Sequence, residues 1–264
     1  MIERPIVDTH AHIYRAGMPL SPGGWIAPGA PRTVDDYITA LDAHGIPFGV
    51  IAAMSAFGDY NDYTLEALGR FKRLRGTGIA SPQTTFEQLK AWRASGLTGV
   101  RFMLLRTEMP DLSEFGWQRL LTRLSDLAMH VHVLIEPDRL EAFINALAGY
   151  PTLNLVIDHF GFPEISKGVD CTGFRAALRG VESGRVWVKM AAFHRMGSMA
   201  PLYASALLRH AGTERIMWGT DWPFLAASGP YAYEEAVSAF NECISSPEDR
   251  RAISETSLRF YFFD

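Results

Sequence analysis

Eight short apolar runs, each followed by a stretch of helical periodicity, constrain this chain more than any other feature. They read "IVDTHAH" (6–12), "FGVIAAMS" (48–55), "RGTGIAS" (75–81), "TGVRFML" (98–104), "HVHVLIE" (130–136), "LNLVIDH" (153–159), "VWVKMAA" (186–192) and "RIMWGTDW" (215–222). Several are continuously apolar, as strands covered on both faces must be. Helical patterns fill the gaps at 33–45, 61–74, 85–96, 114–128, 137–149, 170–183, 198–211 and 231–244, and a last one starts at Ser246. Thr33 with Asp36 and Thr85 with Gln88 have capping-box spacing, Gly45 and Gly96 stand where helices stop, and Pro247 suits a first helical position. Strands alternating with helices, without a linker or a low-complexity segment, predict a single (β/α)8 TIM barrel over residues 1–264. The one long loop, 15–32, is rich in Gly and Pro and is expected to form a lid or wall over the barrel mouth.

Composition removes several classes of function. A net charge of -4 without a basic block gives no support to nucleic-acid binding. No apolar run approaches the length of a membrane span, and the N-terminal charges are unlike a signal peptide. The two cysteines, Cys171 and Cys243, form no CxxC pattern, which fits a reducing, cytoplasmic setting and no cysteine-based zinc site. The sequence specifies no oligomeric state.

In a barrel of this kind the active site lies at the C-terminal ends of the strands. His10 and His12 end the first run, one residue apart, so they share a face, and by the same alternation Asp8 shares it. Ser55 ends the second, with Asn61 shortly after. Arg101 lies in the fourth and Arg106 follows it. Glu136, His159 and Asp221 end the fifth, sixth and eighth. A lone strand-end histidine is ordinarily a hydrogen-bonded structural residue; three of them with an aspartate on one rim are a site. The remaining histidines read differently. His130 should face the barrel floor, His132 should fill the interior, His44 sits in a helix C-terminal turn, and His194 follows the seventh run near the rim. Asp158 has the opposite parity to His159 and is expected to make a structural hydrogen bond behind it.

Together "DTHAH", "VIDHFG" and "IMWGTDWP", with "VIAAMS", "GVRFMLLR" and the Lys189 strand, resemble the amidohydrolase superfamily, and within it the lactonase branch that includes 2-pyrone-4,6-dicarboxylate lactonase. The resemblance spans nearly the whole chain. It implies a hydrolase that opens a small carboxylated lactone or pyrone. Asp221 would activate water, and His10, His12 and His159 would polarise the carbonyl from an oxyanion hole of side chains. Arg101, Arg106, Ser55 and Asn61 would bind the substrate, the arginines through its carboxylate, although each arginine also suits an ion pair with a nearby acid.

The pyrone-dicarboxylate lactonase is metal-independent, which puts a reaction without a cofactor first. The alternative is a mononuclear hydrolase or decarboxylase acting on another small acid. There one divalent ion, Zn or Mn, would be held by His10, His12, His159 and Asp221, with Glu136 as a further ligand. Met103 and Leu104 stand where a bridging lysine would be needed, which disfavours two metals. Phe162 and Leu134 stand where the resemblance places an arginine and a tyrosine, so the pocket should be less polar than that of a dicarboxylate enzyme. A non-catalytic small-acid-binding barrel would keep the arginines but would not need Asp221 beside three histidines.

Overall fold

The computed structural model describes residues 4–24, 28–225 and 227–262. Eight parallel strands pair in sequence order: β1 (Val7–Ala11), β2 (Phe48–Ile51), β3 (Leu74–Gly78), β4 (Leu97–Met103), β5 (His130–Leu134), β6 (Leu155–Ile157), β7 (Val186–Met190) and β8 (Ile216–Trp218). The ring closes between the first strand and the segment after the last. His12 N–H donates to the Trp222 carbonyl at 2.7 Å, and Asp221 N–H donates to the His10 carbonyl at 2.8 Å. This is the (β/α)8 barrel that the alternating pattern predicts.

Around it lie α1 (Val34–Ala43), α2 (Asp62–Arg70), α3 (Phe86–Ala94), α4 (Phe115–Asp126), α5 (Leu140–Ala146), α6 (Thr172–Glu182), α7 (Phe193–Met196), α8 (Ala200–Ala211), α9 (Tyr233–Cys243) and α10 (Pro247–Phe262). Both expected capping boxes form: Thr33 accepts from the Asp36 N–H, and Thr85 from the Gln88 N–H. These bonds satisfy N–H groups that the first turn would leave without partners. The main core lies between barrel and helices, where Leu41, Leu89, Leu121, Phe143, Phe174 and Phe240 are all fully buried. A second, smaller cluster plugs the barrel floor. Tyr261 of α10 packs there against Val7, Val50, Val156 and Met217. No helix among the described residues is long and apolar enough to cross a membrane.

Several runs are shorter as strands than the sequence pattern suggests. β6 stops at Ile157 and β8 at Trp218, each before its candidate site residue. His159 (φ 49°) and Asp221 (φ 68°) adopt left-handed backbone conformations that cannot continue a strand. The long loop folds back at both described ends. Tyr14 and Arg32 exchange backbone hydrogen bonds, and Ser21 N–H donates to the Ala56 carbonyl. The loop thus lies against the Ser55–Phe57 turn; its residues 25–27 lie outside the described residues.

Candidate active site

β1 brings His10 and His12 to the barrel mouth, but Asp8 does not join them. The pairing of β1 with β2 shifts register between Asp8 and Ala11, which breaks the simple alternation. The Asp8 carboxylate instead accepts from the Thr220 N–H (2.9 Å), the Thr220 hydroxyl (2.7 Å) and the Tyr233 hydroxyl of α9 (2.9 Å). It ties β1 to the segment carrying Asp221. Gly219 makes that approach possible: a Cβ there would lie 2.8 Å from the His10 backbone nitrogen.

Asp221 is the centre of the cluster. Its Oδ1 lies 3.4 Å from His12 Nε2, 3.6 Å from His10 Nε2 and 3.9 Å from His159 Nε2, and its Oδ2 lies 3.8 Å from His194 Nε2. Burial opposes ionisation of this carboxyl, but the surrounding histidines, His159 foremost, hold it well below the usual carboxylate range. Burial pushes His159 down to about 4 and His10 well below the ordinary histidine value, so both rings are neutral near pH 7. His194 is also lowered by burial. It joins the cluster because Ala192 turns left-handed (φ 58°) and starts the one-turn helix α7.

Anchoring fixes which ring atoms face Asp221. His12 Nδ1 lies 2.8 Å from the Ala52 carbonyl, which can only accept, so Nδ1 carries the hydrogen. His10 Nδ1 lies 3.1 Å from the fully buried Asp158 Oδ1. A neutral ring anchored in this way presents a bare Nε2 lone pair. Neither His10 nitrogen makes a well-aligned hydrogen bond, but Nδ1 stands 3.1 Å from the Asp158 carboxylate, whereas Nε2 stands 3.6 Å from that of Asp221. Nε2 atoms and a carboxylate oxygen that converge as acceptors suit a cation at their centre. Ligand atoms of His10, His12 and Asp221 lie within 4.8 Å of one another, as do those of His10, Asp158 and His159. The second set suits an ion less well, because Asp158 already accepts from Arg101 and His132. By donor type and burial, the first set fits one divalent ion.

Above the cluster opens a narrow pocket, about 30 Å³ of enclosed space and about 410 Å³ when the open solvent at its mouth is counted. His12, Ser55, Arg101, His159, Arg195 and Asp221 form its polar side; Met54, Met103, Leu134 and Leu225 form the apolar side. Arg101 reaches the pocket but is also half of a buried ion pair, with Nε and Nη2 at 3.0 and 2.6 Å from Asp158 Oδ2. Its Nη1 donates to the Ala53 carbonyl.

The other candidates lie elsewhere. The Asn61 amide is engaged with backbone groups of Ile79 and Asp59, and it does not line the pocket. Glu136 accepts from the Arg106 N–H and pairs with Arg139, away from the histidines. Arg106 is exposed at the rim, near enough to Arg195 to disfavour its charge. Arg195 is the polar pocket residue that sequence reasoning did not single out. Its guanidinium lies over the Phe162 ring, 5.6 Å from the centroid, so the pocket has a cation beside the phenylalanine that stands where the resemblance placed an arginine.

The amidohydrolase family model matches residues 7–263, and the chain belongs to that family. Among its relatives is the 4-sulfomuconolactone hydrolase of Rhizobium radiobacter, 29% identical over 239 residues, with 82% of this chain and 75% of the relative covered. Two solved structures superimpose closely. A Pseudomonas putida protein described as a 2-pyrone-4,6-dicarboxylic acid hydrolase has a TM-score of 0.90 at 32% identity, covering 99% of both chains. An Acinetobacter baumannii protein of the same description, with citric acid bound, has a TM-score of 0.92 at 26% identity, covering 97% of this chain and 99% of its own.

Proposed function

We propose that this protein is a lactone hydrolase that opens a small carboxylated lactone or pyrone. The observation that carries the reading is the buried Asp221 carboxylate, ringed by imidazole Nε2 atoms at the foot of a pocket that also holds Arg101 and Arg195. The names of the relatives, hydrolases of a sulfomuconolactone and of a pyrone dicarboxylic acid, support the substrate class, and citric acid on one of them fits a pocket that receives carboxylates.

In this reading Asp221, ionised, takes a proton from the attacking water while the water oxygen adds to the lactone carbonyl. The ring C–O bond then breaks and the proton returns to the departing oxygen, giving an open hydroxy acid. Arg195 and Arg101, with Ser55, hold the substrate carboxylate. Met54, Met103, Leu134 and Leu225 cover the ring and exclude water from that side. His10 and His12 through Nε2 and Asp221 through Oδ1, with His159 beside them, would hold one divalent ion, whose chemistry there would be to polarise the carbonyl and acidify water. The anchoring of His10 and His12 through Nδ1 favours this over neutral imidazoles donating to the carbonyl oxygen.

The test is a panel of carboxylated and neutral lactones, with ring opening followed by acid release. Asp221→Asn keeps the shape and removes the base, so turnover should fall by about 10²–10⁴. Wild-type protein that opens no lactone of the panel overturns the proposal. Metal analysis and chelation address the ion separately. Loss of one equivalent with loss of activity, restored by Zn²⁺ or Mn²⁺, is expected; activity that survives with no bound metal assigns the carbonyl to the imidazoles.

A further inference from the structure

Beneath the pocket, Asp158 is in contact with more of the site than any one of the proposed working residues would require. It is fully buried, just ahead of His159, and turned away from the substrate space. Its Oδ2 accepts two hydrogen bonds from Arg101, and its Oδ1 is shared by His132 Nε2 and His10 Nδ1. We infer that Asp158 is a positioning residue: it holds His10 in the Nδ1–H form, with the bare Nε2 facing Asp221, and it holds Arg101 against the pocket with the same carboxylate.

Which oxygen does which task gives the inference its content. Arginine has no acceptor atoms, so whatever stands at the Oδ2 position must be an oxygen. The Oδ1 position, facing two imidazole nitrogens, needs an acceptor if those nitrogens carry hydrogens. Only a carboxylate offers an acceptor on both sides. An asparagine cannot. Its amide oxygen is drawn to Arg101, which turns its NH₂ toward His10 and His132. His10 Nδ1 must then accept, and its hydrogen moves to Nε2, pointing at Asp221. One oxygen exchanged for one NH₂ thus reverses the face that His10 presents to the site, with little change of shape. His132 lies on the far side of Asp158 and does not line the pocket, so its role is to secure the carboxylate.

The activity arm of the test rests on the lactonase reading; the spectroscopic arm does not. In ¹⁵N-histidine-labelled wild-type protein, the His10 signals, identified by their loss in His10→Gln, should show a protonated Nδ1 and an Nε2 without hydrogen, whether bare or metal-bound. In Asp158→Asn they should show the reverse. Turnover of a neutral lactone should fall by up to about 10⁴, the loss for a catalytic histidine held in the wrong tautomer. KM for that lactone should change by less than about threefold, because the inverted atom lies at the reacting carbonyl rather than at the binding wall. A merely structural Asp158 would alter stability and leave the tautomer as it is. Wild-type His10 protonated on Nε2 overturns the inference, and so does an Asp158→Asn protein with unchanged tautomer and turnover. Should Asp158→Asn not fold, the wild-type spectrum decides. If wild-type protein opens no lactone, the function proposed above fails while the spectra still decide the role of Asp158.

Discussion

Arg101→Met is the substitution whose consequence can be worked out furthest. Methionine roughly matches the length of the arginine stem and carries no charge. Arg101 is 2% exposed and Asp158 1%, so water cannot replace the lost partner. The variant keeps a buried carboxylate and removes its two charge-assisted hydrogen bonds, at 3.0 and 2.6 Å. Neutral His10 and His132 would be its remaining donors. Breaking a buried pair from one side costs about 3–5 kcal/mol, mostly through the charge left behind. That is a large part of the stability of an ordinary domain, roughly 5–15 kcal/mol. For a chain of this size it lowers Tm by about 6–20 °C. Urea unfolding followed by tryptophan fluorescence should show a lower midpoint with little change in slope. Replacing both partners, Arg101→Met with Asp158→Leu, should recover part of the loss, because the stranded carboxylate is gone although His10 and His132 lose their acceptor. A single variant that loses less than about 1 kcal/mol, or a double variant that loses the sum of both singles, would refute the assignment of this pair as a coupled buried unit. In the single variant KM should rise more for acidic than for neutral lactones, and equal changes would make Arg101 purely structural.

Lys189, pushed down to about 7 by burial from an ordinary 10.5, makes stability depend on pH. Between those values the unfolded chain binds the proton that the native state has shed, so stability rises with pH across the window and is lost again as pH falls through 7. Tm measured from pH 6 to 10 should rise less in Lys189→Met than in wild type, and parallel curves would count against it. Gly219→Ala sets a methyl group 2.7 Å from His10 Cβ and should force β1 from the segment carrying Asp221. A stability loss of about 1–3 kcal/mol is expected, with turnover falling alongside; native stability together with native turnover would show that the contact yields easily.

The barrel was legible in the sequence because its strands are buried on both faces and write themselves as apolar runs. Their ends were less so. The runs at 153–159 and 215–222 continue past Ile157 and Trp218 without a change of composition, yet the chain there turns left-handed. Residue type does not announce such a turn when the residue is His159 or Asp221 rather than glycine. The rim histidines and Asp221 were recognisable because each stands at the C-terminal end of an apolar run, and a barrel gathers those ends at one mouth whether or not the strand itself reaches the residue. Asn61 was not, since whether an amide faces a substrate or bridges the Ile79 backbone is decided by a neighbouring strand. Arg195 escaped because a helix of four residues has no periodicity. Asp158 was read correctly as lying behind His159, but parity alone cannot reveal that its partners would be His10, His132 and Arg101.

Those partners explain why the barrel interior departs from the usual form. Barrel interiors are commonly filled by layers of branched apolar side chains. Here Arg101, His132, Asp158 and Lys189 occupy the interior under the pocket, all of them 2% exposed or less. An apolar layer of similar volume would fold at least as well, since buried ion pairs seldom exceed hydrophobic packing in stability. What such a layer could not do is decide which nitrogen of His10 carries a hydrogen, or hold a guanidinium at the pocket wall. The double replacement of Arg101 and Asp158 separates these two contributions. It should be more stable than Arg101→Met alone and yet open lactones no better, whereas an interior that served stability alone would recover both or neither.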